Sequence, residues 1–145
     1  MSHGYGEYIS KDGTIYKGNW YEDKQHGQGF ELWNDGSKYE GQYVNGEKTG
    51  YGQFSYADGS EYCGSFLKNM LDGKGKFVWK DQKTYEGDWA EDKMHGHGIF
   101  TWSDGRKYFG DYKDDKKNGY GQFFWPNGQI YKGFWKDGKQ DGRGI

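Results

Sequence analysis

Residues 85–107 read YEGDWAEDKMHGHGIFTWSDGRK. Counting Tyr85 as position 0, glycine stands at positions 2, 11, 13 and 20 and an aromatic ring at positions 0, 4, 15 and 17. Positions 0, 2 and 4 alternate, as do 13, 15 and 17, and alternation at period two is the mark of strands with one aromatic face. The pattern recurs every 23 residues without a slip, from Tyr16 through Tyr39, Tyr62, Tyr85 and Tyr108 to Tyr131. Position 2 is always glycine, from Gly18 to Gly133, and position 4 always aromatic: Trp20, Tyr43, Phe66, Trp89, Tyr112 and Trp135. Position 17 is Trp33, Tyr56, Trp79, Trp102 and Trp125. All 27 glycines occupy repeat positions. The chain is therefore one array: a partial repeat 1–15, full repeats 16–38, 39–61, 62–84, 85–107 and 108–130, and a partial repeat 131–145. It starts and stops inside a repeat, as a segment of a longer array or an array with atypical ends would.

The turns follow from the same spacing. Position 7 holds only Asp, Gly or Asn (Asp23, Gly46, Asn69, Asp92, Asp115, Gly138), which points to a left-handed backbone. Asp-Gly or Asn-Gly at positions 19 and 20 supplies the positive φ of a tight turn, and Gln82 in place of that glycine predicts a strained or differently shaped turn. The simplest register sets position 0 against 17, 2 against 15 and 4 against 13, so that each glycine faces a ring. The fold class expected is all-β: an elongated single-sheet solenoid of stacked antiparallel β-hairpins. About twelve strands at roughly 4.8 Å each make a rod of about 55 Å without a compact core, in which each hairpin needs its neighbours for burial. The outermost strands are open edges.

Composition excludes several alternatives. Acids and bases balance at 22 against 20, which argues against a dedicated nucleic-acid binder. Ile, Leu and Val total ten while rings make up 21% of the chain, too few aliphatics for a helix bundle or a doubly wound α/β enzyme. Glycine has no period of three, so collagen is excluded, and the aromatic content excludes simple disorder. A lone Cys63 allows no internal disulfide and suits a reducing compartment. No apolar stretch opens the chain, and the longest apolar run is Phe123-Phe124-Trp125. A soluble cytosolic chain, free or lying on a surface, is expected.

The motif Tyr-x-Gly-x-aromatic, Gly-x-Gly, aromatic-x-Asp/Asn-Gly, seen in Tyr85-Glu86-Gly87-Asp88-Trp89 and His95-Gly96-His97-Gly98, resembles the MORN repeat family over all 145 residues. The resemblance implies a non-catalytic, protein-binding scaffold that organises cytoskeletal or membrane-adjacent assemblies, with a helical or extended partner segment held in an aromatic groove.

The residues themselves carry little chemistry. Gly-x-Gly recurs seven times, but Ile9, Leu32, Ser55, Val78, Thr101 and Phe124 stand where a dinucleotide fingerprint needs its third glycine. No cofactor is expected. His3, His26 and His95 share position 10, about 9.6 Å apart in neighbouring repeats, and His95-x-His97 lacks a third ligand, so no metal site is expected. Asp114-Asp115 before Lys116-Lys117 reads as a solvated loop, and Cys63 as a plain strand residue. No nucleophile constellation exists, so no catalytic residues are expected and the chain reads as no enzyme.

The aromatic face is the candidate site. A single sheet has no second layer to cover it, exposed apolar surface marks interaction sites, and rings are enriched in hot spots. The expected partner-binding residues are Trp20, Trp33, Tyr43, Tyr56, Phe66, Trp79, Trp89, Trp102, Tyr112 and Trp125, with Trp79, Trp89 and Trp102 forming a continuous strip. Leu71 and Met94, apolar residues at position 9, read as loop positions that supply selectivity. On the opposite face Phe109 is expected across from Phe124 with Phe134 near, either a C-terminal cap or a second contact. Open edges allow a homodimer through array ends. Two other classes stay open: a membrane module, limited to weak anionic phospholipid contact because Lys and Arg are interspersed with acids, and the regulatory region of a larger enzyme such as a lipid kinase or a histone lysine methyltransferase. Nucleic acid is not an expected partner. The expected location is cytoplasmic, at the cytoskeleton or the cytoplasmic face of a membrane.

Overall fold

The computed structural model describes residues 4–144; His3 and Ile145 lie outside the described residues. The fold is all-β. Its strands are β1 (Gly4–Ile9), β2 (Ile15–Tyr21), β3 (Lys24–Leu32), β4 (Lys38–Val44), β5 (Glu47–Ser55), β6 (Glu61–Leu67), β7 (Met70–Val78), β8 (Thr84–Ala90), β9 (Lys93–Thr101), β10 (Lys107–Lys113), β11 (Lys116–Phe124), β12 (Ile130–Lys136) and β13 (Lys139–Gly144). They follow chain order in an open antiparallel sheet. The chain divides into two compact units, one ending at Leu71 and one starting at Asp72.

Two kinds of turn alternate. The short one has two residues, both left-handed: Glu22 and Asp23 at φ 49 and 66, Glu91 and Asp92 at φ 50 and 68, Asp114 and Asp115 at φ 49 and 70. This is the hairpin turn whose twist matches that of the strands. Position 7 was legible from its Gly, Asn and Asp content; the left-handed position 6, held by Glu22, Lys68 and Glu91, was not. The position-7 side chain has a second task, because Asn69 Oδ1 accepts the Lys48 N–H at 2.9 Å and Asp115 Oδ1 the Met94 N–H at 2.8 Å. The longer turn starts at the position-17 ring. Trp33 N–H donates to the Ser37 carbonyl at 2.9 Å, and Gly36 N–H to the Trp33 carbonyl at 3.1 Å. Asp35 and Asp104 each accept the backbone N–H two residues on, Ser37 at 2.8 Å and Arg106 at 3.1 Å, which holds both carboxyls below the usual range.

Gln82 adopts φ 77 and keeps the hydrogen bonds of its sister turns, Gln82 N–H to Trp79 O and Trp79 N–H to Lys83 O, both at 2.9 Å. The turn is thus unchanged in shape and carries the strain of a side chain in the left-handed region. Gln82→Gly is expected to stabilise the chain by about 1 kcal/mol, raising the melting temperature by roughly 3 °C; a melting curve that stays put or moves down counts against this.

The expected register is corrected. Across β2 and β3, Tyr16 faces Glu31 and Gly18 faces Gly29; across β3 and β4, Glu31 faces Tyr39 and Gly29 faces Gly41. Glycine therefore faces glycine. In the first unit the row runs Gly6, Gly18, Gly29, Gly41, Gly52, Gly64, and in the second Gly75, Gly87, Gly98, Gly110, Gly121, Gly133. The reason is the two-residue turn, which pairs Tyr21 with Lys24 and Trp20 with Gln25, followed by a bulge that shifts the pairing between Gly18 and Trp20.

A row of residues without Cβ is a trough, and the position-0 rings lie in it. A Cβ at Gly29 would collide with the Tyr16 ring, one at Gly98 with the Tyr85 ring, one at Gly121 with the Tyr108 ring. Each phenol also donates to the carbonyl of position 3, at the bulge: Tyr16 to Asn19, Tyr39 to Gln42, Tyr62 to Ser65, Tyr85 to Asp88 and Tyr108 to Asp111, all at 2.8–2.9 Å. This explains why position 0 is always Tyr while position 4 varies among Trp, Tyr and Phe. Tyr39, Tyr62, Tyr85 and Tyr108 are 0% exposed. The expectation of no compact core is corrected accordingly: each unit has an aromatic core built on one face of the sheet.

Candidate functional site

The aromatic face has two depths. Position 0 and most of position 4 are core. Tyr85 meets Trp89 and Tyr112 edge-on, each at 5.2 Å between centroids, and Tyr39 meets Phe66 edge-on at 5.1 Å, contacts of about 0.5–1.5 kcal/mol each. Tyr43, Phe66, Trp89 and Tyr112 are buried, and Trp20 is half-buried. Trp89 Nε1 donates to the Gly75 carbonyl at 3.1 Å, and Tyr43 Oη to Glu31 Oε1 at 2.5 Å. Glu31 stands where the other repeats carry a ring, and it serves as the acceptor for that phenol.

Position 17 lies shallower, and position 15 is mixed: Phe54 and Phe77 are half-buried, whereas Phe100 and Phe123 are buried. Trp33, Tyr56, Trp79, Trp102 and Trp125 are all half-buried. In the second unit they interleave with the position-15 phenylalanines as a ladder: Phe77–Trp79 at 4.5 Å, Trp79–Phe100 at 5.2 Å, Phe100–Trp102 at 4.5 Å, Trp102–Phe123 at 5.3 Å and Phe123–Trp125 at 4.5 Å. The first unit has the shorter run Trp33–Phe54–Tyr56, at 5.4 and 4.4 Å. Each position-17 ring is set by backbone, because its residue starts the longer turn and both its N–H and its carbonyl are bonded there. The strip expected through Trp79, Trp89 and Trp102 is thus drawn differently: Trp89 belongs to the core, and Phe100 links the other two. The position-15 rings Phe54, Phe77, Phe100 and Phe123 are not among the expected site residues, although their period-two spacing from position 17 places them on the same face.

Leu71 and Met94 are corrected from loop to strand. They lie in β7 and β9 and are 5% and 9% exposed. The two-residue turn ends at position 7, so position 9 is already inside the strand, on the aromatic side. Met94 is pinned by its N–H to Asp115 Oδ1 and by the Asp115 N–H to its carbonyl at 3.0 Å. Lys48 and Lys117 occupy the same position, with the ammonium over aromatic rings, and burial lowers both from the ordinary lysine value.

The opposite face carries the polar groups. Asp88 Oδ2 accepts the His97 N–H at 3.0 Å and Oδ1 pairs with Lys74 at 2.5 Å; burial alone would raise this carboxyl, but these partners hold it below its usual value. His97 Nδ1 pairs with Asp111. Among the described residues no group of three or more His, Cys, Asp or Glu is placed to hold a metal ion. Phe109 faces Gln122 rather than Phe124 and touches the Phe124 ring diagonally at 5.7 Å, while Phe134 packs edge-on against Tyr120 at 5.7 Å.

Comparison with known proteins agrees with this geometry. A search of curated proteins gives no match. Among solved structures, the TCP10 domain of Danio rerio CPAP, in complex with a peptide of Danio rerio STIL, is similar at 13% identity and a TM-score of 0.52. The match covers 88% of this chain and 57% of that one, so this chain spans little more than half of that domain. Virginiamycin B lyase from Staphylococcus aureus, selenomethionine-substituted, aligns at 12% identity over 90% of this chain and 55% of that one, but its TM-score of 0.22 carries no argument. The MORN repeat model matches residues 1–15, 16–38, 39–61, 62–84, 85–105, 108–130 and 131–145. With seven matched segments along its length and a hairpin rung at each position-0 tyrosine, the chain belongs to the MORN repeat family.

Proposed function

We propose that this array is a non-catalytic module that binds a segment of a partner protein along the half-buried position-17 rings of the aromatic ladder, as a scaffold for cytoskeletal or membrane-adjacent assemblies in the cytoplasm. The observation that carries the reading is the second unit's run of rings from Phe77 to Trp125, neighbours 4.5–5.3 Å apart, in which Trp79, Trp102 and Trp125 stay half-buried. Contiguous aromatic surface of this kind is typical of interaction sites, and Trp is the residue most enriched among hot spots. Family membership supports it, as does the zebrafish domain of like fold that was solved with a peptide. Within the second unit, core rings and the buried Met94 act by holding the ladder in place.

The test is selection of binders from a random-peptide display library, followed by nuclear magnetic resonance of the tryptophan indole N–H groups. Bound peptide is expected to move the signals of Trp79, Trp102 and Trp125 and to spare that of Trp89. Trp79→Ala with Trp102→Ala is expected to weaken binding by about 2 kcal/mol or more, roughly thirtyfold. A folded double variant with undiminished affinity would overturn the assignment, and binding only to vesicles containing anionic phospholipid would favour a membrane module instead.

A further inference from the structure

Lys117 Nζ lies among four rings, 5.2 Å from the Trp135 centroid, 5.6 Å from Trp102, 5.8 Å from Tyr108 and 5.9 Å from Phe123. Ring faces attract the cation and offset part of its lost hydration. They do not satisfy its three N–H donors. Among the described residues no carboxylate forms an ion pair with Lys117. This is no shortage of acids, which outnumber bases 22 to 20. The other cations on this side are matched within their own turns, Lys83 to Asp81 at 3.5 Å and Arg106 to Asp104 at 2.9 Å. In the first unit Lys48, over Trp33 at 5.1 Å, at least reaches Asn69 Oδ1 at 3.4 Å.

A second observation points the same way. Arg106 Cζ stands 5.1 Å from the Trp102 centroid, so two like charges converge on one indole. Burial, and then the Arg106 charge, pull Lys117 below the ordinary lysine value. An anion brought to this point would relieve the repulsion, give Lys117 the charge-assisted hydrogen bonds it lacks, and reach Arg106 beside its existing pair with Asp104.

Resting on the reading of the ladder as a protein-binding surface, we propose that Lys117 and Arg106, converging on Trp102, form an anchor for a carboxylate of an acidic segment in the partner. A protein carboxylate suits the site better than a lipid headgroup. It is planar, matches the guanidinium fork, and comes attached to a backbone that can lay apolar neighbours on the half-buried Trp79 and Trp125. Lipid recognition works instead through clusters of bases, and bases here alternate with acids. The inferred ligand is a peptide with Asp or Glu flanked by apolar or aromatic residues.

The variant Lys117→Met is chosen because Met94 holds the same repeat position in the neighbouring rung, so the fold accommodates it. The wild type and Lys117→Met are each used to select from the same random-peptide display library, and the recovered peptides are remade with Asp or Glu replaced by Asn or Gln. Peptides from the wild type are expected to be enriched in acids and to lose about tenfold in Kd on amidation, and those from Lys117→Met to show neither property. Equal acid content and equal amidation losses in the two pools would overturn the anchor while leaving the ladder as a binding surface. Failure to enrich any peptide on either protein would overturn both. Loss of binding to phosphatidylserine vesicles in Lys117→Met, with no acid enrichment among peptides, would assign the anchor to lipid and overturn the proposal as stated.

Discussion

Between pH 10 and pH 12 the chain is expected to lose its fold in one cooperative step. Burial pushes the Tyr16 and Tyr39 phenols up from 10.0 to about 12. Burial also raises Tyr43, where Glu31 adds to it, and Tyr85, Tyr108 and Tyr112. In this window the folded chain keeps protons that the unfolded chain has released. The stabilisation is therefore fully present below pH 10 and is lost as pH rises through the folded values. Each phenol held near 12 contributes about 2.7 kcal/mol that is gone by the end of the window, and a domain has roughly 5–15 kcal/mol in all. Lys48 and Lys117, lowered by burial, act in the opposite direction, since the unfolded state binds the extra proton there. Two lysines do not offset six phenols. Phenolate absorbance and circular dichroism, followed together along pH, provide the check: these six phenols should ionise with the loss of strand signal. Smooth ionisation of all of them near pH 10 with the sheet intact would show that the position-0 rings are not sealed.

Gly98→Ala is expected to be among the most damaging single substitutions. The new methyl would fall on the Tyr85 ring, which is 0% exposed and held by its hydrogen bond to the Asp88 carbonyl at 2.9 Å. The ring cannot swing aside without leaving the trough and giving up its contacts with Trp89 and Tyr112. A cost of about 3 kcal/mol follows from overpacking, or roughly 10 °C in melting temperature. Gly128→Ala is the control. It sits at φ +93 with nothing within 4 Å of the added Cβ, so only backbone strain of about 1 kcal/mol is expected. Thermal denaturation of the two variants side by side decides the matter; equal losses would mean that glycine serves conformation alone and that the trough has no role.

The sequence by itself determined the 23-residue period, the all-β class, the rungs along the chain and the turn positions. These are local properties. Alternation reports a strand face, and Gly, Asn or Asp at a fixed position reports a left-handed backbone, as at Asp23 and Gly36. The shared face of positions 15 and 17 was equally legible. Register and depth were decided by tertiary structure. A two-residue turn and a bulge between Gly18 and Trp20 set glycine against glycine, where spacing alone suggested glycine against a ring. That row became a trough, the tyrosines sank into it, and their hydroxyls met the position-3 carbonyls. Period-two alternation says which face a ring is on and nothing about how deep it lies. Trp89 and Trp102, similar in sequence context, therefore part company: one closes over the core with its indole N–H bonded to Gly75, and the other stays half-open under Arg106 and Lys117. Position 9 likewise passed for a loop because its inward direction depends on where the turn ends, a matter of backbone geometry that residue type does not report.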